Sequence, residues 1–371
     1  MPIRSFACSV LVLLAVSTRA AAQGATGWVL GLAVDESYDT NVRLRTDGRP
    51  NEIVSRLTAS LAHGWKGPRH ALTLTGSGTE ILFRERKELN RFAYAAGAAV
   101  DLKLSTRVGL MVSDRYTDTL TSQIDDFTDE GAIFSLTGTQ RNRAAMDLKW
   151  VLTPQTSLLL NGRHDYWYFE DPALENGWRV STGGALSHRF GGSEAGSLVY
   201  NYSQNRRTET PGEVHVGTLE WSQTLGSRFG ATGAFGVSQI RAEGQSATRL
   251  NWAAALAWRL ERSALDASYS RRSRTSFGLD RQRIVDAVRV GYNLKLSRTL
   301  GAIAFAGYSR STDPFDPTFV LDAQNYGVTF AWAMSPEFSL AAGYAYLRRD
   351  TSVSGEDAHR ASVSIAYRKA F

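Results

Sequence analysis

Side chains that alternate apolar and polar recur along most of this chain. The final stretch, ASVSIAYRKAF, has Ala361, Val363, Ile365 and Tyr367 at every second position, with Arg360, Ser362, Ser364 and Arg368 between them. Successive side chains of a strand point to opposite faces, so this pattern describes a strand with one apolar and one polar surface. In NRFAYAAGAAVDLKLS, Phe92, Tyr94, Ala96, Ala98, Val100, Leu102 and Leu104 oppose Arg91, Gly97, Asp101 and Lys103. Val288, Val290, Tyr292, Leu294 and Leu296 oppose Arg289, Asn293 and Lys295 in the same way, as do Leu250, Trp252, Leu256, Trp258 and Leu260 against Arg249, Asn251 and Arg259. Beyond the N-terminal leader no segment holds the long apolar run that a membrane helix needs.

The punctuation has a rhythm of its own. Connectors such as KGPR, LSTR, LTPQT, LSRT and MSPE alternate with longer polar ones such as RERKELN, EDPALENG, RRTETPGE and STDPFDPTFVLD. They divide the chain into about eighteen strands of about ten to fifteen residues, long for soluble sheets, whose usual length is about 5–6. Short turns on one side and longer loops on the other, around an even number of antiparallel strands, predict an all-β, closed transmembrane barrel. Both chain ends then lie on the short-turn, periplasmic side. Trp65, Trp150, Trp258 and Trp332 fall just before short turns, and Tyr116, Tyr166, Tyr168 and Tyr346 lie towards the long loops, forming two aromatic bands at the expected headgroup levels.

The first residues read as an export leader. MPIR is basic, SFACSVLVLLAV is apolar, and Ala20 to Ala22 supply a small-residue cleavage site, which gives a signal peptide at 1–22 and a barrel domain at 23–371. Cys8, the only cysteine, lies inside that leader, so the mature chain is expected to hold no thiol or disulfide. Without the leader, 40 Lys and Arg face 36 Asp and Glu, and so small an excess implies no nucleic-acid partner.

A search for chemistry returns little. The sequence contains no nucleophile elbow, no zinc-protease helix and no P-loop. His164 and Asp165 are adjacent, but strand neighbours face opposite ways and cannot share a proton. A non-enzyme without cofactor is the expectation. The acidic run Asp125, Asp126, Asp129 and Glu130 matches no calcium-loop spacing and reads as a solvated loop.

What the polar faces do carry is arginine and lysine. Arg56, Arg91, Lys103, Arg107, Arg115, Arg143, Lys149, Arg163, Arg179, Arg249, Arg259, Arg272, Arg274, Arg289 and Lys295 share the polar phase, with Asp101, Asp147, Asp165 and Asp266 among them. An arginine on the lipid face near the midplane costs about 2–4 kcal/mol, so these bases are expected to line the lumen. A basic lining favours anions, whereas Arg–Asp ladders that only brace the wall would give a non-conducting structural barrel.

Tyr38, Asp39, Asn41 and Val42, followed by a polar loop and the strand SRLTASLA, resemble the second family of outer-membrane β-barrel porins, often encoded in exopolysaccharide gene clusters of Gram-negative bacteria. The last strand resembles the C-terminal assembly signal of outer-membrane proteins, carried here by Tyr367 and Phe371, although Lys369 interrupts the alternation. These resemblances imply an outer-membrane location, partners in membrane lipid and the barrel assembly machinery, and a secreted polysaccharide or small anionic solute as cargo.

Overall fold

The structure, a computed structural model, describes residues 26–41, 51–121, 136–207, 211–242, 244–276, 281–351 and 355–371. The leader, Val42 and the acidic run at 125–130 lie outside these residues.

Eighteen strands follow one another along the chain. They are β1 (Gly27–Asp39), β2 (Glu52–Lys66), β3 (His70–Phe83), β4 (Arg91–Lys103), β5 (Val108–Leu120), β6 (Gly138–Val151), β7 (Thr156–Phe169), β8 (Gly177–Arg189) and β9 (Glu194–Arg207). The second half holds β10 (Pro211–Leu225), β11 (Phe229–Ala242), β12 (Gln245–Arg259), β13 (Ser263–Ser276), β14 (Arg281–Lys295), β15 (Leu300–Thr312), β16 (Val320–Ala333), β17 (Phe338–Thr351) and β18 (Gly355–Ala370). Each pairs antiparallel with its sequence neighbours, and β1 also pairs with β18 from Val29↔Ala370 to Asp39↔Arg360, which closes the sheet into the expected barrel.

The short turns owe their shape to a repeated side-chain device. Ser105, Thr153, Ser297 and Ser335 each accept a hydrogen bond at 3.0 Å from the backbone N–H three residues on, at Val108, Thr156, Leu300 and Phe338. A Ser or Thr hydroxyl that captures a nearby N–H holds the chain in a turn, which explains LSTR, LTPQT, LSRT and MSPE. At the other rim several segments that read as loops are strand. β9 runs to Arg207, β10 begins at Pro211, and β11 runs to Ala242 and β12 begins at Gln245, with Gly244 at φ 74° just before it. Polar residues above a bilayer can still complete a backbone ladder, so hydropathy alone hides these extensions.

The apolar phase points outward. Phe92, Leu219 and Phe235 are 59%, 63% and 56% exposed, in a face that continues around the wall. A broad, largely apolar surface of this kind is stable against lipid rather than water. Trp28, Trp65, Trp150, Trp258 and Trp332 ring its short-turn margin, and Tyr94, Tyr116, Tyr166, Tyr200 and Tyr344 ring the other. Inside the long-loop end, Val54, Ile81, Phe83, Ala93 and Leu120 form a small core with Leu89 and Leu136. One junction departs from the rest: the β12–β13 ladder stops at Trp252↔Arg271, although β12 begins at Gln245 and β13 continues to Ser276.

Candidate channel lining

Strand pairing fixes which bases face inward, because directly opposed residues share a face. Arg143 opposes Asp165 across β6 and β7, and Asp165 opposes Arg179 across β7 and β8. Asp165 is buried and accepts from Arg143 Nε at 2.6 Å, Arg141 Nη2 at 2.9 Å and Arg179 Nη2 at 3.1 Å. Arg141 also stacks on Trp167, its guanidinium carbon 4.0 Å from the ring centroid. One carboxylate therefore holds three guanidinium groups. Arg163 has the same inward phase one residue pair lower, and it is exposed to the lumen.

A second polar band joins the barrel's ends. Arg56 Nη1 donates to Asp35 at 2.6 Å and to Ser37 Oγ at 3.0 Å, both on β1. Arg360 of β18 pairs with Asp39 at 2.8 Å, and Arg349 pairs with Glu356 between β17 and β18. Asp39 also accepts from the Asn41 backbone N–H at 2.9 Å, while the Asn41 side chain donates to the Asp357 carbonyl at 3.0 Å. Tyr38, Asp39 and Asn41, the residues that carry the family resemblance, thus fasten β1 to β18 or sit beside that joint.

The remaining bases divide by place. Lys103, Lys149, Arg259, Arg289 and Lys295 have the inward phase; Arg289 lies near mid-strand and the others near the short turns. Arg249 faces inward on β12 and donates to the Pro314 carbonyl at 3.1 Å. Two expected lining residues are placed elsewhere. Arg107 belongs to the turn between β4 and β5, because the strand it was expected to enter begins one residue later. Arg91, first in β4, turns to Asp118 and Glu170 at the strand ends instead of across the lumen. Arg141 and Arg349 were not singled out from the sequence; the parity they share with Arg143 and with the inward side of β17 would have found them.

The lumen is unequal along its length. Inward residues at the long-loop end, such as Ser37, Ile81, Ile240, Ser311, Leu321 and Arg349, are buried. Lower down, Arg143, Lys149, Arg163 and Arg259 are exposed. The interior is therefore packed near the long loops and open below. His164 faces outward against Trp178, on the opposite side of β7 from Asp165, so the two neighbours do not share a face. Among the described residues, no three His, Cys, Asp or Glu side chains gather in a way that would hold a metal. At the closing strand, Phe371 exchanges backbone hydrogen bonds with Trp28 at 2.9 and 3.3 Å, and the Tyr367 ring lies 4.9 Å from that of Phe338.

No family model matches the chain, and no curated protein does. Solved structures do. OccAB4 of Acinetobacter baumannii is 13% identical with a TM-score of 0.55, covering 94% of this chain and 99% of its own. OprD of Pseudomonas aeruginosa is 11% identical at a TM-score of 0.53, covering 94% and 98%. OpdK of Pseudomonas aeruginosa, solved with vanillate, is 9% identical at 0.53, covering 93% and 99%. With nearly whole-length coverage on both sides and a closed eighteen-stranded antiparallel sheet, the fold of this chain is that of the outer-membrane porins.

Proposed function

We propose that the protein is a passive outer-membrane channel for anionic solutes, exported by its leader, with a secreted acidic polysaccharide as the cargo that the family resemblance implies. The observation that carries this reading is the basic wall of β6 to β8, where Arg141, Arg143, Arg163 and Arg179 share the inward face with the carboxylates Asp165 and Asp147. Fixed positive charge along a water-filled path raises local anion concentration and lowers that of cations. Vanillate, the ligand in the OpdK structure, is a carboxylate and belongs to the same charge class. Lumen charges are screened over about 8 Å at physiological salt, so selectivity comes from the summed wall and weakens as salt rises.

The test is planar-bilayer conductance under a salt gradient. Replacing Arg143, Arg163 and Arg289 together by Gln should move the reversal potential towards cations and leave the barrel folded, since Arg141 and Arg179 still hold Asp165. An unchanged potential would sink the charge mechanism. Cargo needs its own test: deletion of the gene should reduce surface polysaccharide, and normal polymer would leave small anions as the cargo.

The packed long-loop end favours a second reading, a non-conducting structural barrel. Absence of any conductance from correctly folded protein would select it.

A further inference from the structure

The strands that descend to the short turns repeat one device. Seven of these nine, all but β10 and β16, carry an inward base within their last three residues. Lys103, Lys149, Arg259 and Lys295 are four of them; Lys66 of β2, Arg189 of β8 and Arg368 of β18 complete the set. Trp65, His188 and Tyr367, the residues just before the last three, belong to the outward phase, which turns their successors inward. Each of the seven has a glycine or alanine directly opposite it. Ala71 faces Lys66, Gly109 faces both Lys103 and Lys149, and Ala195 faces Arg189. Ala264, Gly301 and Gly31 face Arg259, Lys295 and Arg368. The positions from which a cross-strand carboxylate would neutralise these bases thus hold no polar side chain.

None of the seven forms an ion pair among the described residues, and all but Arg368 are exposed. The short turns add Arg69, Arg107, Arg228, Arg262 and Arg298, against Glu261 and Glu337. Asp101, Asp147, Glu220 and Asp266 are the inward acids nearest the ring, and none of them pairs with a base among the described residues. Bases outnumber acids, so the rim is positive. The long-loop end is built the other way, for there Arg56, Arg91, Arg349 and Arg360 are each held by a carboxylate. Fixed positive charge without an ionic partner therefore gathers at the short-turn mouth.

We propose that this ring is a docking site for a polyanionic chain, and that the chain enters from the short-turn, periplasmic side. The inference rests on the channel reading above and assigns that channel its entrance. Membrane lipid is the wrong occupant, because all seven bases point into the lumen and away from the headgroups around the wall. A small anion is a poor one. It meets one exposed base at a time through water, where a single ionic contact contributes about 0–1 kcal/mol and is screened over about 8 Å. A chain bearing a carboxylate on each sugar meets several bases in turn. Once the first contact is made the next ones are intramolecular, and the weak contacts sum. The paired ions and packed interior of the long-loop end offer no such surface, so capture is one-sided.

Single channels in planar bilayers test it, with short oligogalacturonate as the acidic probe and neutral dextran of matching length as the control. Streptavidin on biotinylated Ser193→Cys marks the short-turn chamber, since the chain from Gln23 onward has no other cysteine. From that chamber the acidic oligomer should interrupt the current at concentrations on the order of tenfold below those needed from the opposite one. Dextran should do nothing, and the effect should fade as salt rises. Lys66→Gln with Lys103→Gln and Lys149→Gln, and separately Arg189→Gln with Arg259→Gln and Lys295→Gln, should each reduce the asymmetry in protein that shows the folded, heat-modifiable band. Equal interruption from both chambers, an asymmetry that survives both triple variants, or no interruption of a conducting channel would overturn the docking site. If the folded protein does not conduct, binding of fluorescent oligogalacturonate to it in nanodiscs decides. Binding that both variants weaken keeps the ring and fails the channel reading, whereas absent or unaltered binding overturns the ring.

Discussion

At the scale of single residues, Asp165 is the most consequential position in the lumen. It is 2% exposed and has three arginines on it, one of which, Arg143, is 44% exposed. Asp165→Asn would keep a hydrogen-bond acceptor but remove a negative charge on which the three guanidinium groups converge. Removing one partner of a fully buried pair costs about 3–5 kcal/mol; solvent at Arg143 reduces this, so a loss of about 1–3 kcal/mol is expected. The same change adds one net positive charge to the lumen. Lower thermal stability together with stronger anion preference in reversal potential is the predicted outcome, and a weakened preference would contradict it. Alternation was enough to assign Arg143, Arg163 and Arg179 to one face. It could not show that one aspartate gathers its neighbours, because convergence on Asp165 depends on the register between three strands. Arg107 shows the opposite error, where a correct parity was extended one residue past the end of a strand.

At the scale of elements, β1 and β18 carry the closure. Asp39 holds Arg360 and orders Asn41, so Asp39→Ala removes an ion pair and a local turn contact together. A loss of about 1–2 kcal/mol is expected, measurable as a lower temperature for the heat-modifiable transition. Deleting Phe371 removes the last backbone link to Trp28 and the terminal aromatic of the assembly signal. Lower yield in outer-membrane fractions is expected; undiminished yield would make that residue incidental. Strand positions were legible because burial on one face repeats over a dozen residues. The early end of the β12–β13 ladder at Trp252↔Arg271 was not, since β13 keeps the same alternation on both sides of that point.

For the whole molecule, the governing fact is that one sheet faces two solvents. The same substitution should therefore have different consequences on its two sides. Phe235→Arg places a charge on the lipid face and should cost about 2–4 kcal/mol near the midplane, while Ala255→Arg, inward on β12, should leave stability nearly unchanged and alter conductance. Equal destabilisation by both would mean the lumen is not aqueous at that depth. The ladder between β1 and β18 also has a meaning in time. Asp39 and Arg360 are 321 residues apart in sequence, so the first strand to leave a ribosome has to wait for the last before its outer edge is satisfied. Throughout that interval the growing sheet presents two sticky borders, each able to recruit a foreign strand or a second copy. Closure is thus a single late event, and until it happens the chain depends on whatever keeps those borders occupied.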